Sequence, residues 1–279
     1  MKLLIYIVIA LALIIGGLAY IEKNKTAFYR AMQSNLEPSE TIVYSDEGLE
    51  LHVFYPESHS PSDKRPAIMM FHGGAWRNGT SRKIYPYAYA LVDSGYVGIS
   101  VQYTLYEDGG PTVFDSVKSA RAALRFLSAN ASQYGIDPNR IVVGGGSSGG
   151  QLALGTVLFD DIDNEETPKP AAIILLWPVL DTSENGFGNE IIGDNWESIS
   201  PYHRVKEDMP PTLLFQGTAD VKTTMPVAIS FAQKMSDKGN EIESVIELGG
   251  VHGYANLDES LYYATVEKMK VWLNGALRD

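Results

Sequence analysis

Ile141-Val142-Val143-Gly144-Gly145-Gly146-Ser147-Ser148-Gly149-Gly150 runs a short β-branched segment straight into glycines that enclose two serines. A buried strand followed at once by a helix start is the simplest reading of that change in composition. The pattern Gly-x-Ser-x-Gly falls on Gly145, Ser147 and Gly149. Its physical content is a serine on a very sharp strand-to-helix turn, with its hydroxyl exposed and its flanks bare because side chains there would strike neighbouring backbone. The helix beginning at that point sets amide groups and partial positive charge beside the hydroxyl. The pattern also fits one residue later on Ser148; the Ser147 register is preferred because it leaves Gly149 and Gly150 both behind the nucleophile, where close helix packing needs small residues. A glycine-rich phosphate cradle is the competing reading, but no Gly-Lys-Ser/Thr follows. A plain tight turn is the other.

Working outward, short apolar runs recur at Ala67–Phe71, Tyr96–Val101, Ala171–Leu176, Thr212–Phe215 and Ile242–Glu247, with an alternating strand near Leu51, Val53 and Tyr55. Between Thr112 and Gln133, Val113, Val117, Ala120, Leu124 and Leu127 mark one helical face. Further helices are expected over 149–158, 225–238 and 259–277. Alternation of this kind predicts an α/β fold, a mostly parallel central sheet with helices on both faces. Ligands in such sheets lie at the carboxyl ends of the strands.

Three other segments follow strands and carry chemistry. Phe71-His72-Gly73-Gly74-Ala75-Trp76 puts bare backbone where amides can meet a developing oxyanion. Gly73, Gly74 and Ser148 are the expected N–H donors, with His72 bracing the loop. A serine hydroxyl needs a base. Of the five histidines, His52 and His59 are expected at the surface and His203 in a connecting stretch. His252, in the glycine-rich segment after the last strand, is placed to swing over the serine. Asp220, at the end of Leu213–Asp220, is the candidate orienting carboxylate in the order Ser, Asp, His, with Asp181 as rival.

The chain has 279 residues and a net charge of −12, with no cysteine. This length suffices for a large core. The acidic balance argues against nucleic acid as a partner, and disulfides, thiolate metal sites and a cysteine nucleophile are excluded. The acidic run Asp160–Glu166 lacks the glycine and spaced final glutamate of an EF-hand loop, so a solvated loop is expected. No metal or other cofactor is expected. After Met1-Lys2, nothing charged interrupts residues 3–21, and Gly17-Leu18-Ala19 offers a small-x-small cleavage site. Residues 1–19 therefore read as a signal peptide or an uncleaved membrane anchor, giving export with possible membrane attachment through residues 3–21. Residues 20–40 read as a polar connector with a helical start from about residue 26, and 41–279 as the folded domain.

The His72–Trp76 loop, the serine turn, Phe215–Asp220 and Val251-His252-Gly253-Tyr254 together resemble the α/β-hydrolase fold, and within it the acetyl-esterase and hormone-sensitive-lipase-like branch. The resemblance covers roughly residues 41–275. Two departures are Ala75, where a third glycine is common, and Gly146, where an acidic residue is common. The resemblance implies a serine esterase in which Ser147 attacks, His252 relays the proton and Asp220 orients the imidazole. A small cap over 181–209 would leave the site open to short acyl groups, acetylated carbohydrate included, with Trp76, Tyr103 and Trp196 as candidate walls. The partner would be a small-molecule or carbohydrate ester. A serine peptidase of the prolyl-peptidase-like type and an inactive binding module remain as alternatives.

Overall fold

The computed structural model describes residues 27–277. The expected signal peptide or anchor and the first part of the connector lie outside the described residues. Among the described residues no helix is long and apolar enough to cross a membrane.

Eight strands form one sheet: β1 (Glu40–Val43), β2 (Glu50–Phe54), β3 (Arg65–Phe71), β4 (Val97–Val101), β5 (Ile136–Gly146), β6 (Ala172–Leu176), β7 (Thr212–Gly217) and β8 (Ile242–Glu247), in the order β1-β2-β4-β3-β5-β6-β7-β8. The β1–β2 and β2–β4 pairings are antiparallel and the rest parallel. The inner parallel strands β3, β4, β6 and β7 are largely apolar and buried because both of their faces are covered, whereas β8, at the sheet edge, is exposed or half-buried along its length. Along β3, Ala67, Met69 and Phe71 join one core, while Ile68 and Met70 join the other. The first core lies under α3 (Val113–Asn130), α4 (Ser148–Leu158) and α7 (Met225–Asp237), and the second under α1 (Ala27–Asn35), α2 (Tyr85–Tyr89) and α8 (Glu259–Ala276). The helical face expected from Val113 to Leu127 is buried. Asp115 starts that helix by accepting the Thr112 amide at 2.8 Å.

Three local readings are refined. The described part of the stretch read as a connector starts with α1, and that helix is docked on the body of the fold. Tyr29 is buried, with its ring 5.8 Å from Tyr87 and 5.9 Å from Tyr262, and β1 begins at Glu40, a strand too short to announce itself by pattern. The nucleophile strand starts at Ile136 rather than Ile141, because Asp137–Arg140 bulge out between the Arg65–Ile136 and Ala67–Ile141 pairings. The acidic loop is ion-paired as well as solvated. Asp163 meets Arg121 at 3.1 Å and Arg125 at 2.9 Å, while Asp161 meets Arg204 and Asp160 meets Lys206. These carboxylates are turned toward guanidinium and ammonium groups.

Arg121 is fully buried in α3 and also donates to the carbonyl of Glu165 at 2.7 Å. Without Arg121, Asp163 keeps only Arg125 as a cationic partner and the Glu165 carbonyl loses its donor, a loss of about 1–3 kcal/mol. Arg121→Ala is expected to lower the urea midpoint by that amount of stability without changing the slope of the transition.

Candidate active site

The carboxyl ends of β3, β5, β6, β7 and β8 converge on a cleft of about 460 Å³. Ser147 sits at the exit of β5 with φ 55° and ψ −122°, a left-handed conformation that a side-chain-bearing residue rarely holds. Its amide donates to Leu176 O at 3.0 Å, and its carbonyl accepts from the amides of Gly150 and Val179 at 3.0 and 2.9 Å. These bonds over-determine the strained turn. The neighbouring glycines leave no choice of residue: a Cβ on Gly149 would lie 2.1 Å from Phe71 O, and one on Gly145 would lie 2.3 Å from Gly149 O.

His252 Nε2 is 3.0 Å from Ser147 Oγ, and His252 Nδ1–H donates to Asp220 Oδ2 at 2.8 Å. Three residues far apart in the chain thus form one hydrogen-bonded series. The Asp220 side chain is inaccessible to solvent. Its Oδ1 accepts from the amides of Lys222 and Thr223 at 2.8 and 3.0 Å, and its Oδ2 from the Thr223 hydroxyl at 2.8 Å and Gln216 Nε2 at 3.3 Å. Burial pushes the Asp220 carboxyl up. The His252 hydrogen bond and charge, with the two amides, outweigh it and hold the group below the usual carboxylate range. The rival Asp181 faces another histidine, 3.8 Å from His203 Nδ1, and accepts the Ser183 amide at 2.8 Å.

Gly73 and Gly74 line the cleft beside Ser147. Among the described residues neither amide donates to a protein acceptor, so both are available to an oxyanion. A Cβ on Gly73 would lie 2.8 Å from Gly146 O and 3.1 Å from Ser147 Cβ, so the loop rests directly on the serine turn. Ser148 is buried at the start of α4 and its Oγ accepts the Trp76 amide at 3.4 Å. His72 is buried beneath the loop, donates from Nδ1 to Gly73 O at 2.9 Å, and stacks on Tyr103 with centroids 4.4 Å apart. Tyr103 in turn donates to His72 O at 2.8 Å.

The expected aromatic walls lie elsewhere. Trp76 is fully buried with its Nε1 donating to Gln151 Oε1 at 3.2 Å, Tyr103 is buried against His72, and Trp196 packs on His203 with centroids 4.9 Å apart. The aromatic side chains that line the cleft are Tyr29, Trp177 and Phe187. Trp177 follows β6 with φ 39° and sits edge-on to Tyr254 at 5.3 Å. Phe187 comes from the 181–209 segment, which holds the short helices α5 (Asn189–Ile192) and α6 (Pro201–Arg204) and is pinned to α4 by Gln151 Nε2 donating to Ile199 O at 2.9 Å. His52 and His59 are half-buried rather than superficial; His59 stacks on Tyr55 with centroids 4.1 Å apart. Thr223 and Gln216, which hold Asp220, were not anticipated. Gln216 had one available signal, its place within the Phe215–Asp220 motif.

Known proteins bear on this geometry. Residues 51–172 match the BD-FAE family and residues 174–279 the prolyl oligopeptidase family. Esterase 2 of the Planctomycetes species Thermogutta terrifontis is 32% identical, with a TM-score of 0.79 over 85% of this chain and 94% of that one. The chain belongs to the α/β-hydrolase esterases. Within them it falls in the hormone-sensitive-lipase-like branch. Carboxylesterase NlhH of Mycobacterium tuberculosis is 28% identical over 70% of this chain and 68% of its own length. Esterase LipC of the same species is 26% identical over 85% of this chain, and the match spans 65% of LipC. The Thermogutta esterase has been solved phosphorylated by paraoxon and phosphoramylated by tabun.

Burial lowers the His72 imidazole from its ordinary value to about 4, with the Gly73 carbonyl opposing and Lys83 adding to the effect. His72 is therefore neutral when folded and protonates when unfolded below about pH 6.5. Between that pH and about 4 the unfolded chain binds the extra proton, so stability falls as pH falls, by on the order of 3 kcal/mol. Urea midpoints across this window should show a shallower decline for His72→Gln than for the native protein.

Proposed function

We propose that the protein is a serine carboxylesterase that hydrolyses short-chain esters through an acyl-enzyme. The observation that carries the reading is the unbroken series from Asp220 through His252 to Ser147, at 2.8 and 3.0 Å. Ser147 Oγ attacks the ester carbonyl as His252 Nε2 takes its proton, and Asp220 keeps the imidazole in the tautomer whose Nε2 is free to accept. The carbonyl oxygen, now negative, meets the amides of Gly73, Gly74 and Ser148, each such donor being worth roughly 2.7–4 kcal/mol. The protonated His252 returns its proton to the leaving alcohol, and water repeats the sequence to release the acid. A short acyl group is supported by the solved Thermogutta complexes, which hold propionate and butyrate. Acetylated carbohydrate remains a candidate, with Trp177, Phe187 and Tyr29 in place of the aromatic walls first expected.

Ser147→Ala is expected to lower kcat by roughly four to six orders of magnitude and to abolish labelling by a fluorophosphonate probe. Ser148→Ala, which keeps the backbone amide, is expected to retain most activity; the reverse pattern would move the nucleophile to Ser148. The match of residues 174–279 to the prolyl oligopeptidase family favours one second reading, a serine peptidase. Steady-state comparison of para-nitrophenyl esters with peptidyl para-nitroanilides separates the two, and the esterase reading expects turnover of the esters alone.

A further inference from the structure

The cleft carries a charge imbalance opposite to that of the protein. Arg30, Lys83 and Lys222 line it together with Ser147 and His252, and no aspartate or glutamate lines it. The whole chain, by contrast, has 34 acidic residues against 22 basic ones. Many cations elsewhere are matched to carboxylates, among them Arg65 to Asp63, Arg77 to Asp108, Lys169 to Asp208 and Lys268 to Glu243, while those that are not, such as Lys234 with the Tyr202 carbonyl, stand singly rather than around one cleft. Among the described residues, none of the three cleft cations makes an ion pair. The arrangement near α1 keeps it so. Glu37, the carboxylate just past that helix, is engaged by both terminal nitrogens of Arg82 at 3.1–3.2 Å, leaving Lys83 beside it unpaired.

The backbone positions of two of these cations are fixed. The Lys83 carbonyl accepts from both the Tyr29 hydroxyl and Gln33 Nε2, at 3.0 and 2.8 Å, so α1 and its Arg30 are docked against Lys83. The Lys222 amide donates to Asp220 Oδ1 at 2.8 Å, which ties the third cation to the relay. Unpaired charges of one sign around a cleft focus the field there and raise the local concentration of the opposite charge.

Resting on the esterase reading, we propose that the ester taken by this site carries a negatively charged group, held by Arg30, Lys83 and Lys222 while its acyl carbonyl lies at Ser147. A neutral ester of the same shape forgoes that attraction, and a cationic one is repelled.

The test compares kcat/KM for matched probes on the full chain, each corrected for its rate of hydrolysis by hydroxide. Para-acetoxybenzoate carries a carboxylate on the alcohol side and para-nitrophenyl hemisuccinate carries one on the acyl side. Their neutral partners are methyl para-acetoxybenzoate and para-nitrophenyl butyrate, and para-acetoxybenzenesulfonate asks whether the site reads charge or carboxylate shape. At low salt, one of the anionic probes should be preferred over its neutral partner by about tenfold or more. The preference should shrink severalfold at about 1 M NaCl, where the screening length is about 3 Å. It should fall by a similar factor in the Arg30→Gln, Lys83→Gln double variant. Because the readout is a ratio measured on one preparation, partial misfolding of the variant cancels. Equal or lower rates for both anionic probes, or a preference that neither salt nor the substitutions reduce, would overturn the inference while leaving the esterase reading intact. Hydrolysis of none of the probes would overturn both.

Discussion

Backbone touches backbone where the loop after β3 meets the turn after β5. The Phe71 carbonyl lies where a side chain on Gly149 would have to be, and the Gly146 carbonyl does the same to Gly73. That contact needs glycine on both sides, and it sets two free amides beside a serine hydroxyl. The parallel register of β3 with β5, Phe71 opposite Gly145, delivers the two loops to the same height. Change the register by a residue and the amides face the wrong atoms.

The remaining partners are fixed less by contact than by hydrogen bonds made behind them. Asp220 is buried with its carboxylate oxygens committed to Thr223, Lys222, Gln216 and His252. Such a group has little freedom to rotate, and the imidazole that donates to it inherits the restriction. His72 works in the same manner on the other wall, where stacking on Tyr103 and a bond to the Gly73 carbonyl hold the glycine loop from below. Neutrality suits His72 there, since a charged ring beneath that loop would be buried without a counter-ion.

What could be read from sequence was what local backbone demands. A strained turn requires glycine at set offsets, so the serine motif was legible, and alternation of strand and helix revealed the parallel sheet. The order of the motifs placed Ser147, Asp220 and His252 in one candidate series, and the geometry brings them within hydrogen-bond distance. Cleft walls were not legible, because aromatic residues look alike in a core and at a surface. Trp76 and Tyr103 are drawn inward by Gln151 and His72, whereas Trp177 reaches the cleft through a left-handed backbone that no pattern announces. Tyr29 was hidden for another reason: a short polar helix gives no sign of what it will dock against until the sheet beneath it exists.

That docking has a practical reach. The first described helix is moored by two side-chain bonds to a single carbonyl, and Arg82 adds bonds to the carbonyls of Gln33 and Leu36 at 3.1 Å. Shortening the polypeptide to begin at the first strand would strip away one side of the cleft, the side formed by Tyr29, Arg30 and Gln33, while sparing Ser147, His252 and Asp220. A purification tag or immobilising linker joined just ahead of Ala27 would likewise stand beside that wall, so the opposite terminus is the better handle for work on this enzyme.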